Sequence, residues 1–86
     1  MEQEEQERLT ELCRQGDPEA TVEMFRQAHR TRDHRLFEIG LAGGLLCEDP
    51  QSDAKRFSYL LLAAMSSQFD MWESPIWRAV LQGEAQ

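Results

Sequence analysis

The sequence predicts an all-α fold: four to five short antiparallel helices in a helical-hairpin array or small bundle. Three observations carry that expectation. Apolar residues recur at three- and four-residue spacing along most of the chain. No run of β-branched residues alternates with polar ones as a strand would. Glycine and proline fall where helices should stop and start, and short connections between helices favour antiparallel neighbours. The 86 residues are expected to form a single helical domain over 1–86, with residues 1–7 frayed and room for one modest core.

The first helix, about residues 3–15, carries Leu9, Leu12 and Cys13 on one stripe and ends at Gly16, a residue suited to the left-handed position after a helix. Asp17 and Pro18 then supply an N-cap and a first-turn proline, and Glu19 complements the helix dipole. That second helix runs to about Arg30 with Thr21, Met24, Phe25 and Ala28 inward. Asp33 is placed to cap a third helix, and Ser52 or Asp53 a fourth. In the fourth, Phe57, Leu61 and Ala64 form one face, which Leu60, Leu62 and Met65 are expected to widen into a mostly buried helix. Ser74 followed by Pro75 starts a last short helix with Ile76, Trp77, Val80 and Leu81 on its inner side.

The third helix contains "GLAGGLL", residues 40–46, which could be a phosphate-cradling loop or a helix thinned for packing. A phosphate loop needs a helix start and a cation beyond its glycines. Here Gly44 is followed by Leu45, Leu46, Cys47, Glu48, Asp49 and Pro50, so two carboxylates stand where an anion would lie. Upstream, Leu36, Phe37, Gly40, Leu41, Gly44 and Leu45 recur at helical spacing, with Ile39, Ala42 and Leu46 filling the rest of the circumference. Residues 34–47 therefore read as a central helix, apolar nearly all round. Each interior glycine costs roughly 0.5–1 kcal/mol relative to alanine, so Gly40, Gly43 and Gly44 should be offset by the close approach of neighbouring helices.

Composition excludes several function classes. No apolar stretch of about 18 residues is available to span a membrane, and the start "MEQEEQER" lacks a secretory signal's basic and apolar regions. A cytoplasmic location is the expectation. A net charge of −7 argues against general nucleic-acid binding and favours a basic partner. Cys13 and Cys47 are expected as buried thiols at the same end of the array. His29 and His34, among arginines, are expected on the surface at the opposite turn. A helix of about 14 residues is roughly 20 Å long, far beyond zinc–ligand distances of about 2.0–2.3 Å. The two Cys and two His therefore cannot share one ion. No metal, cofactor or catalytic constellation is expected, since neither Gly-x-Ser-x-Gly nor His-Glu-x-x-His occurs.

"LCRQGDPEA" at 12–20 recurs loosely as "LCEDPQSDA" at 46–54, and Phe25 matches Tyr59 at the same 34-residue displacement. That period, over about residues 5–67, resembles the tetratricopeptide repeats. Ala42 and Ala54 have the separation of that family's helix-contact pair, and the first-unit counterparts are Arg8 and Ala20. The resemblance implies stacked helix-turn-helix units and protein binding. In size, charge and class the chain is also similar to the chaperones of bacterial type III secretion, which implies service to another protein.

Two features suggest where a protein partner would sit. "RQAHRTRDHR", residues 26–35, gathers Arg26, Arg30, Arg32 and Arg35, whose guanidinium forks suit carboxylates or phosphates. The tail "FDMWESPIWRAVL" holds Phe69, Met71 and Trp72 in a connection rich in large apolar groups, a composition typical of protein interfaces. The leading expectation is a non-enzymatic protein-binding module, a small acidic adaptor or chaperone. An acidic inhibitor or immunity-type protein covering a basic site is the alternative, and a subunit of an enzyme active only with its partner comes third. Self-association stays open.

Overall fold

The computed structural model describes residues 2–66 and 70–82. Five helices follow in order: α1 Glu2–Arg14, α2 Pro18–Thr31, α3 His34–Leu46, α4 Asp53–Met65 and α5 Ile76–Leu81, with a 3-10 turn at Met71–Glu73. No strand occurs among the described residues. The acidic start is helical from Glu2 onward, so the described part of 1–7 belongs to α1.

Local chemistry sets the helix ends. Gly16 takes a φ of 81°, its N–H reaching the Cys13 carbonyl while the Asp17 N–H reaches that of Leu12. This pair of hydrogen bonds satisfies carbonyls that the end of α1 leaves open. The Asp17 carboxylate accepts the Ala20 N–H at 2.9 Å, the Asp33 carboxylate accepts that of Arg35 at 2.9 Å, and the Ser52 hydroxyl accepts that of Lys55 at 3.2 Å. Each removes one unpaired donor from a helix start. Pro75 precedes α5, and Ser74 Oγ accepts the Ile76 N–H at 3.4 Å.

α2 and α3 form the central pair. α1 packs against both, α4 packs against both, and α5 closes over α2 and α4. Cys13, Met24, Phe25, Ala28, Phe37, Phe57, Leu61, Trp77 and Val80 belong to one buried cluster that draws on all five helices. The inward set expected for α2, namely Thr21, Met24, Phe25 and Ala28, is buried in full.

The three glycines of α3 each face a different neighbour. A Cβ on Gly40 would lie 2.9 Å from the Phe25 ring of α2. One on Gly43 would lie 2.5 Å from Thr21 Oγ1 and 2.9 Å from the Cys13 carbonyl oxygen, at the junction of α1 and α2. One on Gly44 would overlap the Ser58 hydroxyl and lie 2.8 Å from the Ala54 carbonyl oxygen of α4. The small-residue contact between α3 and α4 thus comes from Gly44 against Ala54 and Ser58, while Ala42 is exposed.

Two expectations of burial need correction. α3 is not covered all round, since Ala42, Leu45 and Leu46 are exposed. α4 is not mostly buried either: its inner face is Ala54, Phe57, Ser58 and Leu61, and the residues expected to widen it, Leu60, Leu62 and Met65, face solvent. The physical reason is the short distance to α3 at Gly44. Small residues at 54 and 58 bring the backbones together there, which turns the opposite side of α4 outward.

Candidate protein-binding surface

The aromatic residues of the tail are divided between core and edge. Trp77 is 3% exposed and donates its Nε1–H to the Met71 carbonyl at 2.9 Å. It packs edge-on against Phe25 and stacks on Trp72 with centroids 5.6 Å apart. Trp72 is half-buried: it also meets Phe37 at 5.8 Å and lies beneath the Arg32 guanidinium at 5.8 Å. Met71 is likewise half-buried against the core. Trp72 therefore roofs the core, and little of it is left to serve as a free anchor. Phe69 lies outside the described residues.

His29 departs from its expected surface position. It is half-buried, 4.8 Å from Trp77 and 6.3 Å from Trp72 by ring centroids. Its place on α2 one turn beyond Phe25 puts it on the aromatic side of the helix. His34 is exposed as expected, with Nδ1 3.4 Å from Glu38.

The arginines that are adjacent in sequence separate in space. Arg26 turns inward, its Nε–H donating to the Val80 carbonyl at 3.0 Å and its head 3.7 Å from Glu23. Arg30 shares that carboxylate at 3.7 Å. Arg32 takes a left-handed backbone at the end of α2 and donates to the His29 carbonyl while covering Trp72. Arg35 is exposed on α3 and lines a groove with Arg14 and the carboxylates of Glu7, Glu11 and Asp33. Arg26 and Arg30 thus meet at Glu23, while Arg32 and Arg35 lie in separate surroundings.

Cys13 and Cys47 are free and buried, at the end of α1 and just past α3. Burial pushes the Cys13 thiol up, the Thr21 hydrogen bond pulls it down, and nearby Asp17 adds to the rise. A buried thiol held in its neutral form is a poor nucleophile. Aromatic-disulfide reagents should therefore label Cys13 in the folded protein only at the rate of global opening, and rapidly in denaturant. Fast labelling under native conditions would contradict its placement. Among the described residues no group of three or more His, Cys, Asp or Glu is positioned to hold a metal ion, and no helix is long and apolar enough to cross a membrane.

Among the described residues, α4 carries four of the six exposed large hydrophobic side chains. Tyr59 is 56% exposed, Leu60 44%, Leu62 42% and Met65 41%. Beside them, a groove of about 580 Å³ is lined by Leu60, Ala63, Ala64, Met71, Pro75 and Ile76, together with Asp70 and Glu73. Asp70 is held in place by accepting the Trp72 N–H at 3.0 Å. On the other side of Leu60 a second groove, about 450 Å³, carries Lys55, Arg56 and Tyr59. A third, about 650 Å³, runs between α1, α2 and the start of α4, with Leu9, Leu12 and Val22 among the carboxylates of Asp17, Glu19, Glu23 and Asp53.

Sequence reasoning missed the α4 surface because "YLLLAAM" at 59–65 is apolar at every helical angle. Periodicity cannot tell its inner from its outer face. The usable signal was the small pair Ala54 and Ser58, which marks the side that another backbone approaches.

No family model matches the chain, and neither a curated protein nor a solved structure is significantly similar to it.

Proposed function

We propose that the chain is a non-enzymatic protein-binding module, a small acidic adaptor or chaperone that takes its partner on the outward face of α4. One observation carries this reading: four large apolar side chains stand 41–56% exposed on a single helix, and one of them, Leu60, lines an apolar groove. Contiguous apolar surface of this kind is uncommon on monomeric proteins, where isolated exposed leucines need no explanation. Removing a leucine-sized side chain from water contributes roughly 1.5–3 kcal/mol when burial is complete. Association over this face therefore has a driving term that the arginine cluster, already engaged at Arg26 and Arg32, lacks.

A photo-crosslinking residue placed at Leu60 is expected to yield a covalent adduct with a protein in the native host, whereas one at the exposed Gln3 of α1 yields none. Absence of any adduct from positions 60 and 62 would sink the reading.

A second reading, the acidic inhibitor, is favoured by the four carboxylates of the groove between α1, α2 and the start of α4. Salt separates the two. Binding through α4 loses little affinity as ionic strength rises, whereas a carboxylate-led complex weakens steeply in affinity and association rate.

A further inference from the structure

We propose that the occupant of the α4 face is a second copy of this chain, seated about a two-fold axis that runs α4 antiparallel to its counterpart. This rests on the reading that the α4 face binds protein, and it names the partner. The two grooves along α4 meet at Leu60 and carry opposite charge: among the described residues that line them, one has only cations, Lys55 and Arg56, and the other only anions, Asp70 and Glu73. An antiparallel two-fold lays the cationic groove of each copy over the anionic groove of the other. The complementarity is satisfied twice by one operation, as a self-complementary interface requires.

The centre of that contact is apolar and thin. Leu60 and Ala63 are exposed one turn apart, and the methyl group of Ala63 lets a second helix come close. Arg56 is paired with Asp53 at 3.1 Å, but both side chains are about two-thirds exposed. Exposed pairs of that kind hold a charge only weakly, so Arg56 is available to exchange partners. A different protein would have to present an anionic end, an apolar middle and a cationic end in matching order. A second copy has them by construction.

Sedimentation equilibrium over a wide concentration range is expected to show a dimer. Leu60→Glu should give a monomer with an unchanged far-ultraviolet circular dichroism spectrum and a thermal melt that no longer depends on concentration. Lys55→Glu with Arg56→Glu in one chain, and Glu73→Lys in another, should each weaken the dimer by about tenfold or more, because the first sets like charges against each other twice and the second cancels the anionic groove's charge twice. Mixing the two variants should restore association toward the wild-type level. Should Leu60→Glu fail to fold, the charge variants decide alone. A chain that is monomeric throughout, or a mixture that fails to recover, overturns the inference. If such a monomer still crosslinks from position 60 to another protein, the α4 reading stands and only the second copy falls. A dimer indifferent to Leu60→Glu and to both charge changes overturns the inference.

Discussion

Replacing Gly44 destabilises the protein, by about 1–3 kcal/mol and toward the upper end for leucine, as overpacked cores do. Helix propensity alone predicts the opposite, a gain of roughly 0.5–1 kcal/mol for glycine to alanine inside a helix. Sterics win because a Cβ at this position would lie 2.7 Å from the Ser58 Cβ and 2.8 Å from the Ala54 carbonyl oxygen. The Ser58 hydroxyl alone could rotate aside, although it would lose its 2.8 Å bond to the Ala54 carbonyl. The backbone oxygen cannot rotate, so α4 as a whole must retreat from α3. Urea melts of Gly44→Ala and Gly44→Leu followed by far-ultraviolet circular dichroism measure the effect. A more stable alanine variant would mean that the two helices do not approach here.

Trp77→Ala should cost about 3–5 kcal/mol, the range for truncating a buried aromatic side chain. The indole is 3% exposed, shares faces or edges with Phe25, His29, Phe37 and Trp72, and its Nε1–H ties α5 to the 3-10 turn through the Met71 carbonyl. Its loss removes ring contacts to α2 and α3 and opens a void beneath the roof. Trp72→Ala should cost less, about 1–2 kcal/mol, by removing the stacking on Trp77 and the Arg32 contact. That loss nevertheless exceeds what a residue free on the surface would show. Equal losses in the two variants would contradict the unequal burial of the pair, and tolerance of Trp77→Ala would displace α5 altogether.

The two segments singled out for protein binding are both redistributed by the fold, for a common reason. The tail and the arginine cluster attract notice because their residues are adjacent in sequence, yet adjacency on a helix spreads side chains around its axis. Arg26 accordingly reaches Val80 while Arg35 lies beside α1. Trp72 and Trp77, five positions apart, stack because a turn and a short helix fold one over the other. The α4 surface lay inside a segment that reads as core by composition. Its exposure is a statement about which side α3 covers, and no window along the chain holds that information.

By itself the sequence determined where helices begin and end, because those boundaries rest on groups within a few residues of each other. Asp17, Asp33 and Ser52 bond the backbone N–H groups of the turn they start, and Gly16 ends α1 in a left-handed conformation that residues with side chains rarely adopt. It determined the all-α class for the same reason, since helical periodicity is local. It also marked α3 as central, because three glycines in one helix are tolerable only beside close neighbours. Only the tertiary structure decided which face of α4 is covered, where each arginine goes, and that His29 joins the aromatic cluster. These depend on approach distances between elements far apart in sequence. At Gly44 one absent side chain sets that distance, and the outward face of α4 follows from it.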